Sequence, residues 1–180
     1  PRPPYPDAMT TSDLRLVRWT MTTGSSGTAR AAVVLAAGDH QWEATAESGG
    51  AIGALYHAVD LALEEVLGGH VRLVAFNVRA VGETARADAL VDLAIEPPPT
   101  ATGERAAGRH DGTARHQNLV AACAEAYLAA IGALLADEAW VGATEAAGNA
   151  RLAELRARFR EAAESLLAAR RLGEDFRRHF

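Results

Sequence analysis

From Leu14 to Thr20 polar and apolar residues alternate as LRLVRWT, placing Leu14, Leu16 and Arg18 on one side and Arg15, Val17 and Trp19 on the other. That is the period of a β-strand. Gly24-Ser25-Ser26-Gly27 turns the chain, Ala29 to Ala37 runs through the β-branched Val33 and Val34, and Gly38-Asp39 turns it again, which bounds a second strand. Gln41 to Glu47 then sets Trp42, Ala44 and Ala46 against Gln41, Glu43, Thr45 and Glu47, the pattern of a strand with one wet face. After Ser48-Gly49-Gly50 the period changes. Ile52, Leu55, Tyr56, Val59, Leu63 and Val66 recur at three- and four-residue steps, predicting an amphipathic helix over Ala51 to Leu67 that ends at Gly68-Gly69.

The order then starts again. Val71 to Val81 and Ala85 to Glu96 read as strands, and after the loop Pro97-Pro98-Pro99-Thr100 a third strand is placed from Arg105 to Gly108. Asn118 to Leu135 closes this second pass as a helix with Leu119, Val120, Cys123, Tyr127, Ile131 and Leu134 along its apolar side. The expected fold is α+β: two β-β-β-α units, a repeat of about 60 residues, related by a pseudo-twofold axis. Beyond Gly142, Leu152, Leu155, Phe159, Ala162, Leu166 and Ala169 form a narrow stripe among charges, predicting a C-terminal amphipathic helix over Asn149 to Leu172. Such a stripe packs on the chain's own core, on a symmetry mate or on another protein. The expected domains are a disordered arm over residues 1–12, the double unit over 13–136 and a helical extension over 137–180.

Composition narrows the chemistry. All 18 basic residues are arginine, which excludes Schiff-base, pyridoxal-phosphate and P-loop mechanisms, since each needs a lysine amine. Cys123 is the single cysteine, so there is no intramolecular disulfide, and the expected compartment is the cytoplasm. Apolar runs fall short of the ~20 residues of a membrane span, so none is expected. Pro1 to Asp7 lacks the basic start and apolar segment of a secretory signal, and Met9 is a candidate start. Residues 1–150 carry 10 Arg against 18 acids and residues 151–180 carry 8 against 5, so net acidity disfavours nucleic acid while the tail is basic.

Two helix starts are candidate ligand sites. Glycines before a helix leave its first N–H groups free for a carboxylate, and Ser48, Gly49 and Gly50 fit that role, with Gln117 and Asn118 at the second helix. The alternative is structural, the glycines forming the turn and Ser48 capping the helix. His57, with His110 and His116 flanking Asp111 in a long loop, forms a second candidate set, for acid–base work or a metal; solvated loop histidines are the other reading. Their spacing matches no recognised metal motif, and neither metal nor cofactor is expected. Tyr56 and Tyr127 are placed at matching points of the two helices, with core packing or a hydroxyl at the axis as their roles. Cys123 reads as a small buried apolar residue.

Three stretches carry a resemblance. Glu47-Ser48-Gly49-Gly50-Ala51-Ile52-Gly53-Ala54-Leu55-Tyr56-His57-Ala58-Val59 is similar to the glycine-rich first helix start of the regulatory, dimerisation domain of 2-isopropylmalate synthase. Asn118 to Leu128 is similar to that family's second helix start, and Val78 to Ala87 resembles its strand-turn-strand. The resemblance spans residues 13–135 and implies the double β-β-β-α fold, a homodimer and a small effector, which is leucine in that family. It implies no synthase activity, because the catalytic barrel would need roughly 250 further residues. Where the family carries acids at the two starts, this chain has Gly53 and Asn118. The resemblance therefore implies a free-standing, dimeric, carboxylate-binding module, acting in trans on a separate barrel-domain synthase. The rival reading is a small cyclase- or dehydratase-type enzyme whose active site uses Tyr56, His57, His110 and His116.

Overall fold

The computed structural model describes residues 14–25, 27–82 and 87–178, with side chains of the last helix described as far as residue 168 and at 170. The arm expected over residues 1–12 lies outside them. The chain forms two compact bodies, Pro1–Glu145 and Ala146–Phe180.

In the first body the order is β1 (Arg15–Thr23), β2 (Ala29–Ala37), β3 (His40–Ser48), α1 (Ala51–Ala62) and the short α2 (Glu64–Leu67). It repeats as β4 (Arg72–Val81), β5 (Asp88–Glu96), β6 (His110–His116) and α3 (Leu119–Ala136). Each repeat is a three-stranded antiparallel sheet, β1-β2-β3 and β4-β5-β6. The central strands bury alternate residues: Ala31, Val33 and Leu35 on β2, and Val91, Leu93 and Ile95 on β5. Against these faces α1 packs on β2 and β3, α3 packs on β5 and β6, and the helices touch each other. This is the expected α+β pair of β-β-β-α units. The helix expected over Ala51 to Leu67 is interrupted at Leu63 and ends as expected at Gly68, whose left-handed φ of 71° suits glycine.

Three expectations need correction. Strict alternation along β1 fails because the register skips Val17: Leu16 faces Leu35, Arg18 faces Val34 and Trp19 faces Val33. This bulge brings Leu16 and Trp19 to the same side and leaves Val17 exposed. Val74 is skipped at the same step of β4. The third strand of the second repeat is His110–His116, whereas Gly103–Ala106 is a 3-10 turn in which Arg105 donates to the Ala139 carbonyl at 2.7 Å. His110, Asp111 and His116 therefore lie on a strand and not in a long loop. Finally, α3 is by length and composition apolar enough to cross a membrane, contrary to the estimate from unbroken runs, but it is the core helix of its repeat, with ten buried residues.

The seat of α3 depends on Gly112. A β-carbon there would stand 2.6 Å from the backbone nitrogen of Ala130, so only glycine lets the helix lie this close. In the first repeat Ala44 holds the corresponding place, opposite Val33 as Gly112 is opposite Leu93.

The last helix, α4 (Ala143–Arg178), starts directly after Gly142 and is longer than expected. Its stripe is open: Leu152, Leu155, Phe159 and Leu166 are 43%, 41%, 74% and 73% exposed.

Candidate functional site

Burial along α1 recurs along α3. Ala54, Leu55, Tyr56, Ala58, Val59, Asp60 and Ala62 are buried, and in the same spacing so are Ala122, Cys123, Ala124, Ala126, Tyr127, Leu128 and Ala130. Tyr56 thus corresponds to Ala124 and Tyr127 to Val59, so the tyrosines do not hold the matching points expected of them. They meet nevertheless, with rings stacked 4.1 Å apart at 16°. The Tyr56 hydroxyl donates to the backbone carbonyl of Cys123 at 3.3 Å, and the Tyr127 hydroxyl donates to Oδ1 of Asp60 at 2.7 Å. Both contacts step four residues forward on both helices, so α1 and α3 run in the same direction and start at the same end.

The two starts differ. Gly50 is the N-cap of α1, so Ser48 does not cap it, and among the described residues no side-chain oxygen takes up its first N–H groups. The Ser48 hydroxyl instead lies 2.9 Å from where a β-carbon on Gly53 would stand, close over the first turn. At α3, Asn118 is a working cap: its Oδ1 accepts from Val120 at 2.9 Å and from Ala121 at 3.4 Å. Its own N–H donates to Nδ1 of His116 at 2.8 Å. Gln117 is exposed beside this cap. The donors of the second start are therefore largely used within the chain.

A residue that the sequence reading passed over lies between the helices. Asp60 is only 8% exposed, and burial first of all pushes its carboxyl up to about 6, against the lowering effects of the Tyr127 hydroxyl, His70 and His57. The signal was a lone acid on an apolar helical face, four residues after Tyr56. Burial also raises both tyrosine hydroxyls and the Cys123 thiol, so Cys123 is the inert buried residue expected.

The histidines do not gather. His57 lies on α1 with its ring 5.5 Å from that of His70, while His110 and His116 occupy opposite ends of β6. The His110 ring folds over Gly108, and its Nε2 is buried without a partner. Among the described residues no three His, Cys, Asp or Glu side chains come together as metal ligands. A trough of about 460 Å³ on the outer face of the first sheet, lined by Arg18, Thr20, Ala32, Val34, Glu43 and Thr45, shares no residue with either helix start.

Two β-β-β-α units joined through side-by-side helices define a duplicated α+β domain. The sequence model of the LeuA allosteric (dimerisation) domain matches residues 7–135 of the 180, and the chain belongs to that family. A search of curated proteins gives no match.

Proposed function

We propose that this chain is a dimeric regulatory module that binds a small carboxylate-bearing ligand at the start of α1. The observation that carries the reading is the contrast between the two helix starts: the first turn of α1 keeps its N–H donors with the Ser48 hydroxyl beside them, whereas Asn118 occupies those of α3. Backbone donors recognise a carboxylate whatever the rest of the ligand is. An ammonium group needs an acid, and Gly53 and Asn118 offer none, which favours a keto acid over leucine. The apolar surface of the edge strands, with Val17, Leu73, Phe76 and Val78 exposed, supports self-association through the β-β-β-α units. The activity it regulates is that of a barrel-domain synthase, in the cytoplasm.

Calorimetry on the full chain with leucine and with its keto acid, 4-methyl-2-oxopentanoate, tests the ligand. Keto-acid binding that weakens in Ser48→Ala and disappears in Gly53→Asp is the expected result; tighter binding of leucine, or no binding of either, overturns it. Sedimentation equilibrium is expected to give a dimer, and a monomer at every concentration refutes that half of the proposal.

A further inference from the structure

The stripe on α4 carries information about what covers it. Leu152, Leu155, Phe159, Ala162 and Leu166 follow one another by three, four, three and four residues, the spacing of a two-helix seam and not of a broad core face. On one flank of the seam stand Arg151, Arg158 and Ser165; on the other stand Arg156, Ala163 and Arg170. Every charge on the two flanks is positive. The acids Glu154, Glu161 and Glu164 lie further round, on the back of the helix.

This arrangement argues against a second copy as the occupant. Parallel pairing of two α4 seams sets Arg151 of one copy against Arg156 of the other, and antiparallel pairing sets each flank against itself, so arginine meets arginine in both directions. It also argues against a lipid surface, since the apolar face is narrow, includes Ala162, and is backed by Glu154, Glu161 and Glu164, which outnumber Arg160 there. We propose that α4 is the docking strip for an amphipathic helix of a different protein, one whose own apolar seam is flanked by glutamate or aspartate. Its apolar residues pack on Leu155, Phe159 and Leu166, and its acids pair with Arg156 and Arg158. The seam sets which residues touch, and the arginine flanks set which partner is accepted.

The test uses the full chain and two synthetic helical peptides of about 21 residues, three heptads with leucine along the seam, flanked in one by glutamate and in the other by lysine. The acidic-flanked peptide is expected to bind about tenfold or more tightly than the basic-flanked one, and to weaken as salt is raised. Arg156→Glu with Arg158→Glu should reverse that preference, and Phe159→Ser, at a position 74% exposed, should abolish binding while the circular dichroism spectrum is kept. Equal binding of the two peptides, or binding of neither, overturns the proposal. A loss of mass in sedimentation on Phe159→Ser assigns the strip to self-association instead. Phe159-dependent binding to phosphatidylserine vesicles without peptide binding assigns it to a membrane, and either result also refutes the proposal.

Discussion

The two β-β-β-α repeats reach the same architecture through different local chemistry. In the second, the helix sits on Gly112, its start is closed by Asn118, and Tyr127 meets a carboxylate; in the first, Ala44 takes the place of Gly112, the start is open, and Tyr56 meets only a backbone carbonyl. The second repeat thus closes its own helix start and packs closely, as a scaffold does. The first keeps donors unfilled, and unfilled donors are what a ligand can use. Duplication of a fold leaves room for one copy to hold shape while the other is modified.

Substitutions at four places break or sharpen this contrast. The largest effect is expected at the helix seat, where Gly112→Ala drives a methyl group into α3 and should cost about 3 kcal/mol, the upper end for overpacking. At the equivalent position of the first repeat Ala44→Gly should cost less than about 1 kcal/mol. Urea denaturation of the pair checks this, and equal losses would remove the asymmetry.

Next comes Asp60. Because its carboxyl titrates at about 6 in the fold against 3.8 ordinarily, the folded chain holds that proton more tightly than the unfolded one. The stabilising effect of that proton is complete below about pH 4 and is lost as pH rises through 6. Asp60→Asn keeps an acceptor for Tyr127 and should stabilise the chain at pH 7 by roughly 2–3 kcal/mol, flattening the stability profile between pH 4 and 6. An unchanged profile would show that Asp60 is hydrated.

The tyrosines come third. Tyr127→Phe leaves Asp60 without its donor and should cost about 2 kcal/mol, whereas Tyr56→Phe gives up a long bond to a carbonyl and should cost about 0.5 kcal/mol. The smallest effects belong to the caps. Asn118→Ala should lower stability by about 1 kcal/mol, and Gly50→Asn should raise it by a few tenths while weakening ligand binding at α1. A Gly50→Asn variant that binds as well as the parent would detach the site from the first turn.

The strands β2 and β3 and the helices were legible because large apolar side chains mark their buried faces: Val33, Leu35 and Trp42 at period two, Leu55 and Val59 at helical steps. The strand β6 was not, since after the polar His110 its inward residues are Gly112 and Ala114, small so that α3 can approach, and such residues leave no apolar alternation to read. The bulges at Val17 and Val74 were hidden for a related reason. An apolar residue skipped by the register looks like one more step of the alternation. At the candidate site Ser48 to Gly50 could be read from glycine content alone. The role of Asn118 followed the rule for a polar residue before an apolar run, and the ligand reading overlooked that such a residue uses up the donors it flanks. Asp60 escaped because its partner, Tyr127, is supplied by the other repeat.

The shared direction of α1 and α3 has an electrostatic consequence. Helix macrodipoles laid side by side in the same sense add at each end, so both contribute positive potential where the helices start. An aspartate at position 118 would satisfy the N–H groups of α3 and cancel its share of that field; the neutral Asn118 does the first without the second. An approaching anion is therefore drawn by two helices although it finds open donors on only one, which separates the long-range pull from the point of contact. The association rate of a carboxylate should accordingly fall with ionic strength, and fall again in Asn118→Asp, while the dissociation rate from α1 changes little.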